Sequence, residues 1–562
     1  MFPFSILRKC IFPFFILYLV LGMSVPIRSQ SSQHPKFVLL KDSPVLSEKF
    51  RQHLAKLSPQ EKVKVWVFFT DKGFQDLEGY HSAVIQAKKT LTSRAAWRRS
   101  KTMRQSLVDF YDLQVNQSYI DRILNFQAKF RQRSRWLNAA SFEIPVGELE
   151  RISKLSFVRS IKPVLGGKRK PIRIEAPPEA MPEGKGPLDL NYGASYAQLQ
   201  QLNIPAAHNL GYYGQGVIVC MMDTGYLKDH QAFSEDSVLA EWDFINNDGN
   251  TQNESGDPSG QHNHGTYTWS ALGGAADGNL YGPAYGACFL LAKTEDISME
   301  QPIEEDNWMA GMEWADSIGA DVISSSLAYM DWYTYPDLDG NTAVTTIAAD
   351  IAAQRGSVVC NAMANAGPGS GTLHAPADAD SILACGAVNS SGEIAYFSSR
   401  GPTYDGRIKP EVCARGVSTR CADPYNPAGY TYASGTSLST PLIGGAAAVI
   451  LSAHPDWTPM QVREAMMESG DNSSSPDNTY GWGIPDVLAA IQYTFYITGD
   501  LTGDEEINLA DVLYLINYLY KGGPPPSPLF LGDVDCDDQI ELSDVLYLVN
   551  YLYQGGPGPC SH

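Results

Sequence analysis

Cysteine is scarce, nine residues in 562, and no spacing among the nine suits a zinc site. Cys10 falls in an apolar leader. That leaves Cys220, Cys288, Cys360, Cys385, Cys413, Cys421, Cys536 and Cys560. Short separations nominate Cys413/Cys421 and Cys536/Cys560 as disulfides, which an exported chain permits. Cys220, Cys288, Cys360 and Cys385 lie in apolar runs, where small buried hydrophobes are at least as good a reading. Positive charge is scarce beyond residue 170, where 12 Lys/Arg face 50 Asp/Glu for a net −38. So acidic a surface repels phosphates and argues against a nucleic-acid partner. Residues 31–170 are the reverse, with 27 Lys/Arg, 12 Asp/Glu and a net +15. Opposite fields suit a front segment that docks on the rest; separate tuning of solubility is the alternative. Long apolar runs are missing apart from residues 11–23 (IFPFFILYLVLGM), too short to span a bilayer comfortably. After Arg8 and Lys9 they read as an export signal over 1–29, cut near Ser24 or Ser29, with an uncleaved anchor as the alternative. No other run is expected to cross a membrane.

What is present is an ordinary globular composition, 44% hydrophobic and 19% charged, in a chain too long for one core. Residues 30–165 form a first module. KVKVWVFFT (62–70) reads as a strand, 82–135 as helical, SFEIPV (141–146) as a strand, GELERISKL (147–155) as a helix and VRSIKPV (158–164) as a strand. That alternation predicts a small α+β unit. Residues 166–190 are dense in Gly, Pro and charge and read as a linker. Residues 191–495 alternate apolar strands with helices. VIVCMMD (217–223), ACFLLAK (287–293), DVISSSL (321–327), SVVCNAM (357–363) and ILACGAV (382–388) look like buried parallel strands, with helical patterns at 303–318 and 342–355. An α/β domain with a mainly parallel sheet is expected. Residues 496–562 hold a tandem repeat of period 33, starting at Gly499 and again at Gly532.

Three motifs in the α/β region carry chemistry. Asp223 ends a strand in MMDTG, His264 opens a helix in HNHGT, and Ser437 lies where a Gly-flanked turn enters the helix of SGTSLSTPLIGGAAAVI. A serine hydroxyl is a weak nucleophile until a base takes its proton, and the base needs a partner that fixes its tautomer. A helix N-terminus also offers N–H donors to a developing oxyanion. The order Asp, His, Ser separates this set from other serine hydrolases.

On these residues the chain resembles the subtilisin-like serine proteases, from about Gln198 to Ile491. AAHNLGYYGQGVIVCMMDTG, the HGT segment, GADVISSSLAY, FSSRGPTYDGRIKPEV, the GTS segment and YGWGIPDVLAAI carry the likeness. The resemblance implies that Asp223 orients His264, that His264 takes and returns the proton, and that Ser437 attacks the scissile carbonyl. It implies an Asn as oxyanion donor. Asn365, in NAMANAGPG, fits that place, and Asn361 competes for it. Ala364 and Ala328 stand where such proteases usually carry Gly, and the methyl of Ala328 leaves substrate preference open. The front module resembles the inhibitory propeptides of these enzymes, through VKVWVFF and SFEIPVGELERISKLSFVRSIKPV. That implies a folding chaperone and inhibitor released by cleavage in or near 163–190. Lys168-Arg169-Lys170 is either a cleavage site or a solvated basic linker.

The repeat supplies oxygen side chains at calcium-loop spacing. The first loop offers Asp500, Thr502, Asp504, Asn508 and Asp511 with the carbonyl of Glu506. The second offers Asp533, Asp535, Asp537, Glu541 and Asp544 with the carbonyl of Gln539. Clustered carboxylates call for a cation; a metal-free acidic turn is the alternative. The pair resembles a type I dockerin, although Glu505 and Asp538 stand where Gly is usual at position 6 and Thr502 replaces a carboxylate or amide. It implies structural calcium, and either a cohesin-like partner or a calcium-stabilised appendage.

The whole reads as a small α+β propeptide, an α/β subtilisin-like three-layer domain with a mainly parallel sheet, and a small all-α dockerin-like calcium module. The expected molecule is a monomeric serine endopeptidase acting on proteins or peptides. It is secreted, with cell-surface association as the alternative. A catalytically dead scaffold and another acyl-transfer hydrolase such as an esterase are the competing readings.

Overall fold

The computed structural model describes residues 42, 44–164, 173–175, 190–298, 305–330, 333–504 and 506–560. The export signal with Ser24 and Ser29, the linker apart from 173–175 and 190 (Lys168-Arg169-Lys170 included), and Glu505 lie outside them.

The front module runs α1 (Glu48–Leu54), β1 (Lys62–Phe69), α2 (Leu77–Thr90), α3 (Ser93–Ser100), α4 (Gln117–Leu124), β2 (Lys129–Ser134), β3 (Ala139–Pro145), α5 (Val146–Ser153) and β4 (Val158–Pro163). Its antiparallel sheet has the order β2-β3-β1-β4. The helical expectation for 82–135 fails over 101–116, which holds only a 3-10 turn, Phe110–Asp112, and at its end, where 129–134 is β2, an outer strand whose Lys and Arg project from a half-buried edge. β1 shows why its apolar run is unbroken. Val65, Val67 and Phe69 fill the module's own core, while Trp66 and Phe68 pack into the core of the next domain.

A strand from the linker follows, β5 (Arg173–Glu175), where no element was expected. The central domain then runs α6 (Tyr196–Gln200), α7 (Ile204–Asn209), β6 (Ile218–Asp223), β7 (Ser237–Asp243), α8 (Asn263–Gly273), β8 (Ala275–Ala276), β9 (Leu280–Tyr281), β10 (Cys288–Lys293), α9 (Glu305–Ile318), β11 (Val322–Ser325), α10 (Val344–Gln354), β12 (Val358–Ala362), β13 (Leu383–Val388), β14 (Val412–Arg415), β15 (Thr419–Ala422), β16 (Tyr430–Ser434), α11 (Thr436–Ala453), α12 (Pro459–Glu468) and α13 (Val487–Ile491). Seven strands pair in parallel in the order β14-β13-β12-β11-β6-β10-β7. Val219 and Met221 of β6 meet α8 and α11 on one face; Cys220 and Met222 meet α9 and α10 on the other. Both faces are covered, so the strands read as continuous hydrophobic runs. By length and composition α11 could cross a bilayer, contrary to the sequence expectation, but 89% of it is buried inside the domain.

The front module docks on α9 through polar and charged contacts beside the buried Trp66 and Phe68. Arg131 pairs with Asp306 at 2.9 Å, Ser141 Oγ donates to the same carboxylate at 2.6 Å, Ser134 Oγ donates to Glu313 at 2.6 Å, and Trp66 Nε1 donates to Glu305 at 3.2 Å. Burial pushes the Glu313 carboxyl up, against the pull of Arg135.

In the tail, α14 (Leu509–Lys521) and α15 (Leu542–Gln554) occupy equivalent places in the two repeats. Cys536 and Cys560 are bonded. Cys413 and Cys421 are not. Cys413 lies on β14 of the parallel sheet and Cys421 on β15 of a separate three-stranded sheet, each buried as a thiol.

Candidate active site

Parallel pairing of β6 with β10 and β11 holds Asp223 at the carboxyl edge of the sheet, where the strand order reverses and ligands of such folds bind. Asp223 is 1% exposed, and a buried carboxylate needs hydrogen bonds. Its Oδ1 accepts from Thr224 N at 2.7 Å and meets His264 Nδ1 at 2.5 Å, while Oδ2 accepts from Thr268 Oγ1 at 2.9 Å.

His264 is the second residue of α8. The DTG and HGT motifs hold each other. Gly265 N donates to Thr224 Oγ1 at 3.3 Å and Leu227 N to Thr266 Oγ1 at 2.8 Å. Gly265 is required by contact, since a Cβ there would lie 2.1 Å from the Gly225 carbonyl oxygen. The outer ring nitrogen, His264 Nε2, is buried with no hydrogen-bond partner among the described residues. With Nδ1–H committed to a carboxylate, that nitrogen keeps a lone pair able to accept a proton.

Ser437 stands in the first turn of α11, which packs against α8, and is 6% exposed. Its Oγ donates weakly to the Ser326 carbonyl at 3.4 Å, and Ser326 Oγ donates back to the Ser437 carbonyl at 3.0 Å. First-turn amides have no acceptor within the helix. Asn365 Oδ1 accepts from Thr436 N at 2.9 Å and from Thr436 Oγ1 at 3.1 Å. This turns the amide nitrogen toward the serine. A point one Cβ bond from Gly435 lies 3.5 Å from Asn365 Nδ2 and 3.6 Å from Ser437 N. Two donors therefore border one small space. Asn361 is buried on β12 and donates to the Leu327 and Ala362 carbonyls.

The linker strand β5 lies beside this centre. It pairs antiparallel with β16, Arg173 opposite Ser434, three residues before Ser437.

In the tail, carboxylate oxygens of Asp500, Asp504 and Asp511 converge within 4.8 Å, as do those of Asp533, Asp535 and Asp537. Asp511 Oδ1 accepts from Leu501 N, Thr502 N and Thr502 Oγ1; Asp544 Oδ1 accepts from Val534 N. Asn508 and Glu541 cap α14 and α15. The backbones of Glu506 and Gln539 close the loops onto Asp504 and Asp537.

Residues 214–483 match the Subtilase family, peptidase S8. Subtilisin E of Bacillus subtilis (strain 168) is 35% identical over 299 residues, which is 52% of this chain and 70% of that protein. Subtilisin of Bacillus pumilus is 34% identical over the same length, 98% of that protein. The chain belongs to the subtilase family. It is a serine endopeptidase by that membership. In this subtilase residues 64–175 match the peptidase S8 propeptide domain of Bacteroidota, and 498–555 match the dockerin type I domain. The fold of fervidolysin from Fervidobacterium pennivorans, a keratinolytic enzyme related to subtilisin, superposes with a TM-score of 0.54 at 17% identity, over 84% of this subtilase and 66% of that chain.

Sequence reasoning missed the residues that hold the subtilase centre together. Thr224, Thr268 and Ser326 were not singled out. The signal for Thr268 was there, four residues after His264 and so one helical turn along.

Proposed function

We propose that this subtilase cuts peptide bonds in proteins with Ser437 as nucleophile, His264 as general base, Asp223 as its orienting acid and Asn365 as oxyanion donor. The observation that carries the reading is the 2.5 Å contact of His264 Nδ1 with Asp223, which leaves a buried, unpartnered Nε2. Ser437 Oγ gives its proton to Nε2 as it attacks the scissile carbonyl. Asp223 holds the tautomer and offsets the imidazolium charge. The oxyanion is met by Ser437 N–H and the Asn365 amide, a contribution of about a hundredfold or more in turnover. His264 then protonates the leaving amine, and water releases the acyl group. Ser437 Oγ donates to the Ser326 carbonyl and not to Nε2 in the structure, and catalytic hydrogen bonds often form only once substrate is bound. A fluorophosphonate probe should label Ser437, and Ser437→Ala should abolish casein hydrolysis. Hydrolysis equal to the unsubstituted protein sinks the assignment.

In this reading the chain is secreted as a precursor. Residues 30–165 inhibit it until the chain is cut in or near 163–190, and β5 beside the centre belongs to the segment that is cut. The tail holds calcium. Asp535 Oδ1 is buried without a partner among the described residues and points to a missing cation. The donors Asp500, Thr502, Asp504, Asn508, Asp511 and Asp533, Asp535, Asp537, Glu541, Asp544, with the carbonyls of Glu506 and Gln539, are the all-oxygen set that calcium takes. The ion would supply positive charge that ties each loop to its helix. A cohesin-like partner fits the duplicated outer surface, where Leu513 and Tyr520 of α14 and Leu546 and Tyr553 of α15 are exposed at equivalent places. Calorimetry with calcium, and capture on a cohesin column, test the two claims separately.

A further inference from the structure

Helix α3 belongs to neither the propeptide sheet nor its core. It sits in the stretch between β1 and α4 and lies against the ends of two peptidase helices. Arg94 and Arg98 share one face of it by their i, i+4 spacing, and Arg99 follows Arg98 about 100° round the helix. Arg98 and Arg99 are both fully buried.

Every nitrogen of the Arg98 guanidinium finds an acceptor. Nε donates to the Arg355 carbonyl at 3.0 Å, Nη1 to the Ala320 carbonyl at 2.8 Å, and Nη2 to the Asp316 carboxylate at 2.5 Å and its carbonyl at 3.2 Å. Asp316 lies in the last turn of α9, and Arg355 caps α10. One side chain thus satisfies orphan carbonyls at two helix C-termini, where the helix dipoles favour a cation. Arg99 takes the second Asp316 oxygen at 2.5 Å, and Arg94 pairs with Asp321. Burial pushes the Asp316 carboxyl up, but Arg98, Arg99 and Arg135 outweigh it and hold the group below its ordinary range.

The peptidase surface is shaped for this arm. Gly319 and Gly356 follow the two helices at φ +110° and +94°. A Cβ on Gly319 would lie 2.8 Å from Ala95 N, and one on Gly356 would lie 2.6 Å from the Arg98 carbonyl oxygen. The site is also remote from the chemistry. Ala320 and Asp321 precede β11, while Ser326, beyond its far end, touches Ser437; the four extended residues of β11 lie between Asp321 and Ser326, a span of about 17 Å.

We infer that the peptidase domain carries a guanidinium-binding exosite at the C-terminal ends of α9 and α10, and that this exosite reads the Arg98-Arg99 pair. It holds the propeptide by a contact independent of the substrate cleft, so the propeptide stays bound after the linker is cut. The inference rests on the propeptide reading above, but its test needs no catalysis. Lysine does not replace arginine here, because a point charge cannot meet three carbonyls and a carboxylate in one plane.

The experiment uses the full chain with Ser437→Ala, which cannot cut itself, and a recognition sequence for an exogenous protease placed in 176–189. After cleavage, co-elution of the propeptide on gel filtration reports its retention. The unsubstituted arm should co-elute at micromolar dilution. Arg98→Met with Arg99→Met should weaken retention by about a hundredfold or more, the scale for stripping one side of a buried ion pair. N-acetyl-Arg-Arg-amide should displace the unsubstituted propeptide, and N-acetyl-Lys-Lys-amide should not. Undiminished retention of the double variant overturns the exosite. If that variant does not fold, equal effects of the two dipeptides, or no effect of either, overturn it instead. Failure of the catalytic assignment would show only in the labelling and casein assays and would leave these outcomes unchanged.

Discussion

Thr268 Oγ1 lies 2.9 Å from Asp223 Oδ2, one turn along α8 from His264. The helix that carries His264 thus also holds the second oxygen of Asp223. Asp223 cannot rotate away from the imidazole without breaking that bond. Thr268→Val keeps the shape and removes the hydroxyl. A hydrogen bond to a charged group contributes about 1.5–3 kcal/mol. Turnover of a peptide substrate should fall roughly tenfold to a hundredfold, with KM little changed, and Thr268→Ser should restore most of it. An unchanged kcat would remove Thr268 from the positioning of Asp223.

The centre was legible because its parts are short and rigid. DTG, HGT and GTS each sit at one strand end or helix start, so local pattern places them. Sheet order is not local. Nothing in the seven residues between Cys413 and Cys421 says that β14 and β15 enter different sheets. β7 was missed because its first residues are exposed and only Asp243 is buried, which dilutes the apolar signal. β2 was read as helix because its Lys and Arg serve an interface, Arg131 with Asp306, that no periodicity reveals. The charge asymmetry did point there, and of its two readings the docked one matches the structure.

Ala364 should gain from becoming the glycine its neighbours suggest. Its φ is +85°, in the left-handed region that a Cβ disfavours. The residue directly precedes Asn365, so the strain lies in the turn that presents the proposed oxyanion donor. Ala364→Gly should stabilise the peptidase by about 1 kcal/mol, since relieved strain exceeds the added freedom of the unfolded chain. Thermal unfolding checks this, with kcat as control. A lower melting temperature would mean that the Ala364 methyl packs usefully.

His208 should set part of the acid limit of stability. It is 0% exposed, with Nδ1 2.8 Å from the Tyr192 hydroxyl and Nε2 2.7 Å from the Pro283 carbonyl. A neutral ring meets both, donating from Nε2 and accepting at Nδ1. Burial pulls its pKa down to about 4, against an ordinary 6.5. Above 6.5 the ring is neutral folded or unfolded, and this stability is whole. As pH falls from 6.5 to about 4, only the unfolded ring takes up a proton, so stability is lost. The loss approaches about 3 kcal/mol. In urea melts at pH 7 and pH 4.5, His208→Gln should lose less stability between the two than the unsubstituted protein. Equal losses would assign the acid limb to other groups.

Calcium removal should unfold the tail while the peptidase stays folded. The tail core is small; its fully enclosed apolar residues are Leu501, Val512, Leu515, Leu531, Val534, Val545 and Leu548. Cores of that size need a staple, and the described part has one, the Cys536–Cys560 bond in the second repeat. The first repeat has no such bond among the described residues, so its loop depends more on the ion. At a free ion concentration a hundred times Kd, binding adds about 2.7 kcal/mol. A chelator should therefore remove a separate low-temperature transition from the melting curve, and calcium should restore it. Asp511→Ala should mimic the chelator in the first repeat more strongly than Asp544→Ala does in the second, where the disulfide remains. A curve unaffected by chelator would leave the acidic loops as metal-free turns.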